Sequence, residues 1–97
     1  MVKYNHTGIP TKEIQKDEMY LAHLKMTVTD HEANPYRLQW MRFDPDATYP
    51  ALVLTTPHVA FEVDDLSAAL KGKKVIIEPN SPSPGLVVAF IEETAYL

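Results

Sequence analysis

Pro57-His58-Val59-Ala60-Phe61-Glu62-Val63-Asp64-Asp65-Leu66 is the stretch on which the reading of this chain turns. His58 opens a run in which Val59, Phe61 and Val63 alternate with Ala60 and Glu62. β-Branched and aromatic residues at a period of two predict a strand with two different faces. Asp64-Asp65 ends the run, and Leu66-Ser67-Ala68-Ala69-Leu70-Lys71-Gly72 follows as a short helix. Either aspartate can cap its first amides, Lys71 suits its negative end, and Gly72 stops it. Lys74–Glu78 then reads as a strand and Asn80–Gly85 as a tight polar loop. Leu86–Glu92 is nearly continuous in apolar character, which predicts a strand buried on both faces.

The front of the chain opens in the same way. Val2-Lys3-Tyr4-Asn5-His6-Thr7-Gly8-Ile9-Pro10 is a strand carrying a histidine, and Pro10 stops its pairing. Thr11–Glu18 is polar and has room for a helical turn only. Leu21–Thr29 alternates from Leu24, with Leu24, Met26 and Val28 on one face and His23, Lys25 and Thr27 on the other. Asp30–Pro35 is a turn broken by Asn34-Pro35. Arg37–Phe43 is the next strand, with Gln39, Met41 and Phe43 facing one way and Leu38, Trp40 and Arg42 the other. Asp44-Pro45-Asp46 is a turn, and Ala47–Thr56 reads as an irregular linker between the halves. The front half is thus strand, irregular segment, strand, strand. The back half is strand, helix, strand, strand.

Composition narrows the field. A chain of 97 residues with 45% hydrophobic content supports one small domain and is too apolar for disorder. The net charge of -4 and the scattered lysines and arginines argue against nucleic acid, which needs a clustered basic surface. No run approaches the roughly 18 apolar residues of a membrane span. The first residues lack the apolar core of a signal peptide, so a cytoplasmic location is expected. There are no cysteines, so a metal site must use nitrogen and oxygen ligands. Three glycines form no phosphate loop, and no serine stands in a nucleophilic arrangement with histidine and carboxylate. An imidazole near the start of a strand in each half predicts a duplicated unit with a shared site. Neutral imidazole is the commonest transition-metal ligand, which makes His6 and His58 candidate ligands.

His6-Thr7-Gly8-Ile9-Pro10, the stretch Pro57–Leu66, the short helix, Ile77-Glu78-Pro79 and Val87-Val88-Ala89-Phe90-Ile91 resemble, in that order, the vicinal oxygen chelate superfamily. That group includes glyoxalase I, extradiol dioxygenases and bleomycin-resistance proteins. The resemblance covers nearly the whole chain and is fullest in its back half. It implies an α+β fold of two paired βαβββ modules, about 1–50 and 51–97 of one domain, the first with its helix shortened or lost. Their curved mixed sheets would form a cup. It also implies one divalent metal (zinc, nickel, manganese or iron) on His6, His58 and, on the last strand of the first module, Gln39. The fourth implied ligand is a glutamate on a strand starting near Ala95, and Ala95-Tyr96-Leu97 contains none.

Other residues fill in the expected pocket. Tyr4 shares a strand face with His6, Met41 and Phe43 share the face of Gln39, and Trp40 is a further candidate lining residue. Arg42 reads as a solvated charge or an anion clamp, His23 as exposed, and His31, beside Asp30 and Glu32, as a solvated loop histidine. By resemblance the function is that of a glyoxalase-like lyase or isomerase, of the lactoylglutathione lyase kind. Its metal would chelate two neighbouring oxygens of a small-molecule substrate. Two alternatives stand beside it: a metal-free drug- or antibiotic-binding module of the bleomycin-resistance type, and an extradiol-type dioxygenase. A homodimer is the expected assembly.

Overall fold

The computed structural model describes residues 2–93, which form an α+β protein rich in strands, with two short α-helices. In chain order these are β1 (Val2–Pro10), β2 (Met19–Leu21), β3 (Met26–Val28), β4 (Leu38–Phe43), α1 (Ala51–Thr55), β5 (His58–Val63), α2 (Leu66–Leu70), β6 (Lys74–Ser83) and β7 (Leu86–Glu92). Two compact units divide the chain, residues 1–62 and 63–97. No helix among the described residues is long and apolar enough to cross a membrane.

The first unit is built on a mixed five-stranded sheet in the order β2-β3-β4-β1-β5. β2, β3 and β4 form an antiparallel meander, while β1 lies parallel to β4 with Gly8 opposite Gln39 and Pro10 opposite Met41. Parallel neighbours need a crossover, and here residues 11–37 supply it. Its first part, 11–18, holds bends and a turn instead of the expected helical turn. That segment is too polar to offer a helix an apolar stripe to bury.

Leu21–Thr29 is not one strand. β2 ends at Leu21, a 3-10 turn covers Ala22–Leu24, and Lys25 takes a left-handed backbone (φ 53) that returns the chain into β3. The result is a hairpin pairing Met19 with Val28 and Leu21 with Met26. The alternation was nonetheless informative about faces, since Met26 and Val28 are buried at 7% and 4% exposure. Together with Met41 they form the core, closed by Leu21, Leu24, Phe43 and Tyr49. The Tyr49 hydroxyl donates to the Leu24 carbonyl at 2.7 Å, so its polar end is satisfied at the core's rim. On the opposite face of β4, the Arg42 guanidinium grips both oxygens of Glu18, at 2.7 and 2.8 Å. Arg42 therefore ties β4 to the crossover. The linker 47–56 also contains a helix, α1, started by Pro50 and burying Val53.

In the second unit the helix is capped and stopped as the sequence predicts, but it ends at Leu70, so Lys71 lies just past its last turn. The Asp65 side chain accepts from the Ala68 amide at 3.1 Å, and Gly72 adopts a positive φ of 74° just beyond the helix. β6 and β7 form an antiparallel two-stranded sheet. Asn80–Gly85 is not a loop, because β6 continues through Ser83 and the turn is confined to Pro84-Gly85. Of three register shifts along β6, two span Pro79 and Pro82, which have no amide hydrogen to give the ladder. β7 is not buried on two faces: none of its residues is buried, and Leu86 and Val87 are exposed. A strand whose sheet has one partner only lacks the neighbours that would enclose it. The strand expected from Ala95 lies outside the described residues.

Candidate functional site

The site starts from a glycine. Gly8 is buried in β1, and a Cβ built on it would lie 2.2 Å from His58 Cε1, 2.6 Å from His58 Nε2 and 2.8 Å from Met41 Sδ. No other residue leaves room for the His58 ring at that point. β5, which carries His58, is the sheet neighbour of β1. His58 meets Gly8 while Phe61 meets Tyr4 (ring centroids 6.4 Å apart), so the contacts run in opposite order along the two strands. His6 is two residues before Gly8 and therefore shares its face. Its ring centroid lies 5.7 Å from that of His58, edge to face at 81°. Gln39, half-buried, stands in register with Gly8 on β4.

Three further residues complete this corner. His31 stacks on His6 at 4.7 Å with the rings 22° apart. Asn5 Oδ1 lies 2.6 Å from His6 Nδ1. An amide oxygen can only accept, so Nδ1 carries the hydrogen and His6 Nε2 keeps its lone pair. The Asn5 carbonyl in turn accepts from Arg37 Nε, across 32 residues of sequence. Arg37 itself is half-buried and left-handed in backbone (φ 56).

These surroundings set the charge state. Burial, then His31, His58 and Arg37, push His6 down to about 4 from 6.5. Burial also lowers His58, whose Nδ1 is shut away from solvent. At neutral pH His6 and His58 are therefore uncharged, the form that ligates metals. A zinc–imidazole bond of about 2.0–2.1 Å puts a ring centroid about 3.2 Å from the ion, so two rings on one ion stand about 4.5–5.5 Å apart. The His6–His58 pair, at 5.7 Å, is close to that spacing. The near-parallel stack of His6 and His31 aims their in-plane lone pairs along separate planes, so His31 is a support for His6. Among the described residues no group of three His, Cys, Asp or Glu side chains is spaced to hold a metal ion. Of the three expected ligands, the two imidazoles meet, and Gln39 stands opposite Gly8 in the strand register.

The remaining candidates are dispersed. The Tyr4 hydroxyl lies 2.9 Å from Thr7 Oγ1 and donates to the Tyr36 carbonyl, and its ring is partly exposed. Met41 lies under Gly8 and inside the core, and Phe43 packs against the core and Tyr49. Trp40 faces away from Gln39 and lines a cleft of about 270 Å³ with Thr29, Asp30, Asn34 and others. Sequence reading gives Asn5, Gly8 and Arg37 no role in the site and makes His31 a solvated loop histidine, whereas it is half-buried against His6. Asn5 had a weak signal as the polar neighbour of a candidate ligand. The contacts of His31 and Arg37 depend on the long crossover and that of Gly8 on the β1–β5 neighbourhood, and neither leaves a local mark. No protein-family model, curated protein or solved structure matches the chain.

Proposed function

We propose that this protein is a divalent-metal-binding protein of the vicinal oxygen chelate type, acting on a small molecule as a glyoxalase-like lyase or isomerase. The observation that carries the proposal is the meeting of His6 and His58 over Gly8, each from a strand that opens its half of the chain. Topology supports it. A β2-β3-β4 meander with β1 parallel to β4 is what a βαβββ module gives when its helix is lost. β5, the first strand of the next module, lies beside β1.

His6 and His58 would hold the metal, with the Gln39 oxygen as a third, neutral donor. A bound divalent ion supplies Lewis-acid polarisation of the substrate oxygens it chelates. The chain's own residues prepare the site. Burial keeps both imidazoles neutral. Asn5 fixes the His6 tautomer, the role that outer-shell partners play around ligating histidines. His31 holds the His6 ring plane by stacking. Gly8 makes the space that His58 occupies.

A metal-free binding module is the second reading. It is favoured by the lack, among the described residues, of any group of three His, Cys, Asp or Glu side chains arranged to hold a metal ion, since His31 stacks on His6 and does not converge with it on His58. Metal content separates the two. The wild type, after loading with zinc, nickel, manganese or ferrous iron and removal of excess, is expected to retain near one ion per chain. The His6→Ala/His58→Ala double variant is expected to retain none. Asn5→Ala is expected to weaken metal affinity by roughly 10- to 100-fold. No retained metal in the wild type would overturn the metal-dependent reading and leave the binding module.

A further inference from the structure

We propose that Arg37 is the anchor for an oxyanion group, a carboxylate or phosphate, on the small molecule this protein binds. The molecule holds two half-buried arginines whose treatment differs. Arg42 spends both terminal nitrogens on the two oxygens of Glu18. Arg37 spends only Nε, on the Asn5 carbonyl. Among the described residues no carboxylate pairs with Arg37, and neither of its terminal nitrogens has a protein acceptor. A guanidinium is always charged and presents its donors as a rigid fork that matches carboxylate and phosphate oxygens two at a time. Held half-buried without a counterion, such a group is stabilised by an arriving anion.

Its position makes the anion part of the same site. Asn5 is the joint: its carbonyl fixes Arg37 and its side chain fixes His6. The groups acting electrostatically on His6 are His31, His58 and Arg37, all of them basic, in a chain whose net charge is -4. The site is thus a local concentration of nitrogen donors with no carboxylate among those influences. This inference adds the charged end of the substrate to the function proposed above. It needs no metal, so the two fail separately.

The test is an amide NMR titration of the full, chelator-treated chain with oxalate and, separately, inorganic phosphate, at constant ionic strength held with chloride. Saturable shifts at Asn5, His6 and Arg37 are expected, and the anion that binds more tightly identifies carboxylate or phosphate as the source. Arg37→Gln is expected to weaken binding by roughly tenfold or more, the scale of a charge-assisted bidentate contact. Arg37→Lys, which keeps the charge and loses the fork, is expected to weaken it several-fold. Core amides of Met26, Val28 and Met41 report whether each variant is folded, and if Arg37→Gln is not, Arg37→Lys decides. No saturable shift with either anion, or binding unchanged in the folded variant, would overturn the proposal.

Discussion

β4 and β7 invite comparison because the less apolar of the two is the one that supplies a buried core residue. β4, Leu38-Gln39-Trp40-Met41-Arg42-Phe43, carries a glutamine and an arginine, yet Met41 is only 6% exposed. β7, Leu86-Val87-Val88-Ala89-Phe90-Ile91-Glu92, is apolar for six residues running, yet Val87 is 58% exposed. β4 has β3 on one side and β1 on the other, with side chains from the hairpin turn and Tyr49 covering its face. Among the described residues β7 has β6 alone in its sheet. Burial therefore follows from the neighbours a strand acquires, and apolar content only makes a strand suitable for them.

The sharpest way to break this contrast is truncation on each strand. Met41→Ala is expected to cost about 2–4 kcal/mol, by lost transfer energy and a cavity. Val87→Ala is expected to cost under ~0.5 kcal/mol, as exposed substitutions do. Urea unfolding of the full chain measures both, and equal losses would remove the distinction. Gly8→Ala comes next, at about 1–3 kcal/mol, because the new methyl group overlaps the His58 ring. Ring-proton NMR should show the His6–His58 contact weakened; an unchanged spectrum would mean that Gly8 does not set the position of His58.

The same corner should make stability depend on pH. His6 titrates at about 4 in the folded state against 6.5 for the free side chain. Above about 6.5 the ring is neutral in both states and contributes nothing to the pH slope. As pH falls from about 6.5 to about 4 the unfolded chain takes up the proton first, so stability falls. Discounted for the half-open position of the ring, the loss is about 1–2 kcal/mol. The lowered His58 acts in the same direction. Unfolding midpoints across this range should slope less in His6→Gln; an identical slope would deny that His6 is buried uncharged. The smallest effect belongs to Lys25→Ala. Its pair with Asp46 is between side chains 50% and 69% exposed, and removing it should leave the unfolding midpoint unchanged within error.

Local pattern carried much of this fold. The alternation in Arg37–Phe43 identified the face that Met41 buries, and the capped segment after His58 became α2 with Asp65 and Gly72 in the expected roles. What escaped depended on backbone states or distant contacts. Lys25 turns the β2–β3 hairpin in a left-handed conformation that glycine or asparagine would have advertised and lysine does not. α1 is five residues long, too short to show a helical period. In the site, His6 and His58 were legible as imidazoles near the start of a strand in each half, although His6 lies mid-way along β1, and their contact follows from the β1–β5 pairing. His31 and Arg37 were not, since each reaches His6 or Asn5 from the far end of the crossover.

Whether His6 and His58 form one site is best decided by a double-mutant cycle on zinc affinity. Calorimetric titration would compare wild type, His6→Ala, His58→Ala and the double variant. For ligands of one ion, either single change should cost nearly as much as both together. Additive losses from the two changes, or no zinc binding by the wild type, would contradict a shared site.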